Sequence, residues 1–159
     1  MKCSKDFTWS LPTGGILLLE PDIYDVMNTY RQKRRRDKES GGCLLGFYRG
    51  SHIHITDCTT PMPFDKCTRT RFDRQDPGHV EKIQTFHNTT NGHGTYLGEW
   101  HTHPEATPTP SGIDRREWGK ISKQRGSMCS IFLIFGTDGV WASASKDDMP
   151  TSSLSILIP

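Results

Sequence analysis

The stretch GEWHTHPEATPTPSGID, residues Gly98 to Asp114, sets two histidines, a serine and an aspartate at spacings that suit one metal centre. It is entered through Thr95, Tyr96 and Leu97, two β-prone residues and an apolar one, which predicts a strand running into the motif. Alternation along that strand puts His101 and His103 on one face, where both imidazoles reach a single ion, while Thr102 turns the other way and Pro104 ends the strand. A Pro-rich loop then folds back to Ser111 and Asp114. Two nitrogens and a carboxylate oxygen with a fourth position left for water make up an open, catalytic zinc site. A carboxylate nearby would take the proton as water attacks a carbonyl, and Ser111 is placed to donate to the developing oxyanion. Ser111 and Asp114 also read as an SxxD capping box at a helix start, although Glu or Gln is the usual fourth residue. Capping alone leaves the histidine pair just upstream without a reason, and a ligand in a first helical turn is held by the same geometry that caps it.

Beyond the motif, Ile113, Trp118 and Ile121 predict a helix from about Gly112 to Gln124, ending before Gly126. Met128 to Phe135 reads as a buried strand, with Val140 to Ser143 its hairpin partner; residues 150–159 suit either an edge strand or a segment lying on a partner. Upstream, Phe7 to Leu11 and Gly15 to Leu19 read as short strands and Pro21 to Gln32 as a first helix. The basic run from Arg31 to Lys38 suits the C-terminal end of that helix dipole, and no aromatic residues interleave it as a single-strand nucleic-acid surface would want. Gly41 to Tyr48 and Ser51 to Thr56 form a predicted strand pair, in which His52, His54 and Asp57 are a second metal trio on paper but fit an ordinary solvent face. Thr59 to Gln75 is irregular apart from a strand near Thr68 to Phe72. Asp76 and Pro77 then open a helix whose buried stripe is Val80, Ile83 and Phe86.

Bulk properties bound these readings. The 159 residues suit one domain spanning 1–159, and 33% apolar residues suffice for one core. A net charge of +2 does not by itself indicate nucleic acid, and membrane association is not expected, because Ile16 to Leu19 is far too short to span a bilayer. Five cysteines without a CxxC pair indicate neither a disulfide framework nor a zinc knuckle, and with no signal-peptide pattern at the N-terminus the expected location is cytoplasmic.

HTHP, six residues, then SGID resembles the HxHPx6SxxD signature of the JAMM metalloproteases, also called the JAB or MPN family, at every fixed position. Glu39 in ESGGCLLG resembles the family's upstream glutamate before a glycine-rich strand, and the likeness runs from about Gly15 to Ser143. It implies an α/β fold, a single MPN/JAB-like domain with a mixed curved sheet flanked by helices. It further implies zinc held by His101, His103 and Asp114, Glu39 as general acid/base, and Ser111 assisting the oxyanion. Spacing alone leaves Glu99, on the histidine face, as a rival base, with Glu105 a weaker third; the resemblance favours Glu39.

The GEWHTHP form of the motif and the short sequence after Asp114 are similar to the bacterial branch found in CBASS antiphage operons. That branch implies an isopeptidase freeing a cyclic-oligonucleotide synthase (CD-NTase) or a ubiquitin-like protein from its conjugated targets, with a ubiquitin-activating and ubiquitin-conjugating-like enzyme of the same operon as functional partner. Alternatives are a peptidoglycan or phage-tail-associated peptidase and a non-catalytic scaffold of the same fold. A zinc deaminase is excluded because no PCxxC follows the histidines.

Overall fold

Continuous apolar runs such as Ile131–Phe135 bury both faces of a strand, and around such runs the chain builds a mixed sheet. The computed structural model describes residues 8–147 and 152–157. Among these, the strands are β1 (Thr8–Ser10), β2 (Ile16–Leu19), β3 (Gly41–Arg49), β4 (His52–Cys58), β5 (Lys66–Thr68), β6 (Arg71–Asp73), β7 (Thr95–Thr102), β8 (Ser130–Phe135), β9 (Val140–Ser145) and β10 (Ser152–Ser153). The helices are α1 (Pro21–Asn28), α2 (Gly78–Thr89) and α3 (Gly112–Arg125). The main sheet has the order β1-β2-β4-β3-β7-β8-β9-β10, with β2/β4 and β7/β8 parallel; β5 and β6 form a separate hairpin.

The core contains Trp9, Leu17, Leu44, Ile55, Leu97, Trp100, Leu133 and Phe135. A second cluster, Trp118 with Phe132 and Ile134, seats α3 on β8, and the Trp118 ring stacks on Phe132 at 4.6 Å and on Trp141 at 5.6 Å. Gly98 sets the approach of β7 to β8. It sits at φ 151°, and a Cβ there would lie 1.7 Å from the Ile131 carbonyl oxygen. Opposite it, the β3/β7 register shifts between Leu44 and Leu45, and beyond the shift Gly41 faces His101.

The C-terminal segment joins the two ends of the sheet. Ser152 and Ser153 pair with β9, while the Ser10 N–H donates to the Ser155 carbonyl at 3.0 Å and the Leu157 N–H to the Thr8 carbonyl at 2.9 Å. Of the two readings of residues 150–159, the described ones pair with the sheet, but they bridge its two ends where a simple edge strand would extend one.

Several expectations need correction. Helix α1 ends at Asn28, not Gln32, so the basic run lies in the following loop and the helix dipole does not account for it. Val80 is 50% exposed; the buried residue of α2 is His79, whose ring meets Thr59 Oγ1 at 2.6 Å and Asp65 Oδ2 at 2.8 Å. The strand expected over Thr68 to Phe72 is instead a hairpin turning at Arg69 and Thr70. Phe7, expected to start the first strand, lies outside the described residues. No helix among the described residues is long and apolar enough to cross a membrane.

Candidate metal centre

The end of β7 delivers His101 between two neighbours, Gly41 of β3 and Ile134 of β8. His103 lies one residue past the strand, held by its N–H donating to the Phe135 carbonyl at 2.9 Å. The loop behind it is tied to the β8–β9 turn, where the Thr137 N–H donates to the Glu105 carbonyl at 2.7 Å and the Gly139 N–H to the Ala106 carbonyl at 3.0 Å. Arg31 holds that turn from beneath. Its buried Nη1 donates to the Gly136 and Gly139 carbonyls at 2.6 and 3.0 Å, with the guanidinium 5.2 Å over the Phe135 ring. The loop then delivers Ser111 as N-cap of α3. A capping box forms, in which Ser111 Oγ accepts the Asp114 N–H at 3.1 Å and Asp114 Oδ2 accepts the Ser111 N–H at 2.7 Å.

These restraints bring the sequence-predicted residues together. The Nε2 atoms of His101 and His103 are 3.0 Å apart; Asp114 Oδ1 is 3.3 Å from the first and Oδ2 is 3.2 Å from the second. Ligand atoms around a tetrahedral zinc at about 2.0–2.1 Å are separated by about 3.3 Å, so this donor set fits a small divalent cation. Glu39 joins the cluster, since one of its oxygens and the two imidazole nitrogens all lie within 4.8 Å of one another. His103 Nδ1 is buried without a hydrogen-bond partner, its nearest acid being the exposed Glu105 at 3.4 Å.

Burial pushes the Glu39 carboxyl up to about 7, against the opposing charges of His101 and His103. Burial would also raise Asp114, but hydrogen bonds from both histidines outweigh it and hold that carboxyl well below the usual range. Burial would lower His103, and Asp114 raises it instead. Glu39, His101 and Asp114 open on a cavity of about 330 Å³, with Thr70 to Arg74 forming one wall and Ile113, Glu117 and Trp118 another. Ser111 stands at its rim, exposed, its oxygen engaged by the cap and its proton free to be donated.

The rivals are placed differently. Glu99 lines the same cavity but is bound by Arg74 at 2.8 Å. His52, His54 and Asp57 do not converge: they meet the Ile16 N–H, Glu20 and Lys82 respectively.

Sequence reasoning missed a buried polar network behind the site. Thr102, 0% exposed, accepts the Ser40 N–H on its hydroxyl at 3.0 Å and donates to Gln32 Oε1 at 2.9 Å. The Gln32 amide, 3% exposed, donates to the Asp37 and Arg69 carbonyls at 3.2 and 2.7 Å. Gln32 thus links the strand bearing the histidines, the segment entering Glu39, and the hairpin that walls the cavity. Its only sequence signal is a glutamine inside a run of cations, which looks like any solvated loop.

Comparison with known proteins identifies the chain's family and fold. The family model described as prokaryotic homologs of the JAB domain matches residues 25–148. A protein of Escherichia coli (strain TW11681) named CD-NTase/cGAS isopeptidase is 39% identical over 127 residues, 79% of each chain. One of the same name from Pseudomonas aeruginosa (strain BWHPSA011 / Pa011) is 38% identical over 136 residues, 84% of this chain and 86% of its own. The solution structure of protein DSY2949 from Desulfitobacterium hafniense superposes with a TM-score of 0.61 at 16% identity, covering 90% of this chain and 92% of that one, a likeness of fold.

Proposed function

The chain belongs to the prokaryotic JAB-domain family, and from that premise we propose that it is a zinc-dependent isopeptidase that frees a CD-NTase from the proteins to which it has been joined. A hydrolase is what the family and the relatives' names support; zinc, the named substrate and the residue roles are our reading. The observation that carries it is the convergence of His101, His103 and Asp114 on one point, with the buried Glu39 beside them and an open cavity in front. In this reading the protein acts in the cytoplasm, within an antiphage system, on conjugates made by a ubiquitin-activating and ubiquitin-conjugating-like enzyme of the same operon.

His101, His103 and Asp114 would hold the zinc. Bound there, zinc supplies Lewis acidity that acidifies water and polarises a carbonyl. Glu39 takes the proton of the attacking water as a C–O bond forms, then returns it to the departing lysine amine as the C–N bond breaks, leaving a carboxylate and a free amine. Its burial already brings it to about 7, where one carboxyl can both accept and give a proton near neutrality. The Ser111 hydroxyl, its oxygen occupied by the Asp114 N–H, directs its proton at the carbonyl oxygen as charge develops.

The test is intact mass spectrometry of a synthase fused through its C-terminus to a reporter, incubated with wild type, Glu39→Ala, and wild type plus chelator. Cleavage at the junction by wild type alone is expected. No cleavage by a zinc-loaded sample overturns the substrate assignment and turns attention to a ubiquitin-like protein or a cell-wall peptide. Near-normal cleavage by Glu39→Ala, with Glu99→Ala inactive, overturns the choice of base.

A further inference from the structure

Charge is unevenly distributed on this molecule. Residues 33–38 and 66–73 carry eight basic side chains against only Asp37 and Asp73, a surplus of six positive charges in a chain whose net charge is +2. The rest of the chain therefore has a negative surplus of four. All eight cations are exposed. Among the described residues the acids that pair with them are those two, Asp37 with Arg34 at 3.0 Å and Asp73 with Arg71 at 3.1 Å.

The two segments form one surface. The Arg69 guanidinium donates to the Arg35 carbonyl, the Gln32 amide bridges the Asp37 and Arg69 carbonyls, and the Glu39 N–H donates to the Thr68 carbonyl at 2.8 Å. This surface adjoins the cavity: the 33–38 loop runs directly into Glu39, and Arg71 is part of the cavity wall. Gathering like charges works against folding, so their concentration at the mouth of the site calls for a functional account. Phe72 is half-buried in the cavity wall and the exposed Phe64 stands alone two residues before Lys66, so among the described residues no row of aromatics on which successive nucleic-acid bases could stack interleaves the cations.

We propose that residues 33–38 and 66–71 form a docking surface for an acidic polypeptide segment of the conjugate, adjacent to the amide that is hydrolysed. This rests on the isopeptidase reading. A patch of this sign beside a cleft raises the rate of productive encounter and fixes the direction in which the conjugate enters, and its effect weakens as salt shortens the screening length below about 10 Å.

The experiment uses two fusions with the same junction, one flanked by a glutamate-rich segment and one by a Gly-Ser segment of equal length. Wild type and Lys33→Gln/Arg35→Gln/Arg36→Gln/Lys66→Gln protein are compared at low and high salt. At low salt the acidic fusion should show a kcat/KM about 10-fold or more above the neutral one, an advantage lost at high salt and in the variant. The variant should cleave the neutral fusion within twofold of wild type. Equal salt dependence for the two fusions, or an undiminished acidic preference in the variant, overturns the proposal. Fluorescence anisotropy with a glutamate-rich peptide makes a second arm that needs no turnover. If neither fusion is cut, the substrate assignment fails, while salt-sensitive peptide binding lost in the variant still supports the surface and its absence overturns it. Tighter binding of a single-stranded or duplex oligonucleotide than of the peptide, lost in the variant, also overturns the acidic-protein assignment.

Discussion

Thr102 lies between the two histidines in sequence but faces away from them, and replacing it tests whether the network behind the site positions the chemistry in front. Thr102→Val keeps the shape and removes the hydroxyl, leaving Gln32 Oε1 without its donor and the Ser40 N–H without its acceptor. An unsatisfied buried group costs about 1–3 kcal/mol. The Gln32 oxygen is in a buried pair and the Ser40 N–H in a part-buried one, so the loss should be about 2–4 kcal/mol, read as a lower urea midpoint with unchanged slope. Ser40 follows Glu39 directly, so the carboxyl proposed as the general base should drift with it, and a displacement of about 1 Å can cost about 10²-fold in kcat. Zinc affinity should change little, because the β3/β7 register and the Phe135 carbonyl hold the histidines independently. Thr102→Ser, which restores the hydroxyl, should recover most of kcat. A Val variant losing under 1 kcal/mol and keeping wild-type kcat would refute the argument.

Other perturbations separate structure from chemistry elsewhere. Ser111→Ala should cost about 1 kcal/mol of stability through the lost cap and about 10²–10³ in kcat through the oxyanion, with Ser111→Thr restoring both; a loss of stability alone would reduce Ser111 to a cap. Gly98→Ala should fail to fold or lose more than about 4 kcal/mol, since its Cβ would sit 1.7 Å from a carbonyl oxygen, and circular dichroism showing a wild-type melt would contradict this. Removing metal with a chelator should lower the melting midpoint and zinc should restore it, a stabilisation of about 4 kcal/mol at a thousandfold excess over Kd. Asp114→Asn should abolish that zinc-dependent shift; a shift retained in full would remove Asp114 from the ligand set.

What the sequence disclosed was local. The strand into His101, the loop back, and the cap that opens α3 at Gly112 and closes it at Gly126 follow from residue type and spacing within about thirty residues, and the structure reproduces them. The approach of Glu39 to the histidines is not a matter of spacing. It arises because β3 pairs antiparallel with β7, putting Gly41 opposite His101, and a bulge opposite Gly98 sets that register. The family resemblance favoured Glu39 as the base where spacing left Glu99 a rival, and the ion pair of Glu99 with Arg74 is a tertiary fact no spacing announces. The end of α1 was misread for a related reason. Arg31 and Gln32 look like the start of a solvated cationic tail, yet both leave the helix and are buried because distant carbonyls satisfy their nitrogens. In α2, His79 displaced Val80 from the interior because Thr59 and Asp65 bind both ring nitrogens.

The hydrogen bonds that tie Ser155 and Leu157 to β1 bring the beginning and the end of the described chain side by side. A fold whose entrance and exit are neighbours can be spliced into a surface loop of another protein without prying the host apart, and it tolerates being recut. A permutant that links the two ends by a short glycine-serine bridge and opens at the Asn91–Gly92 turn, where φ is 55° and 79°, should keep the sheet order and the His101, His103 and Asp114 cluster intact.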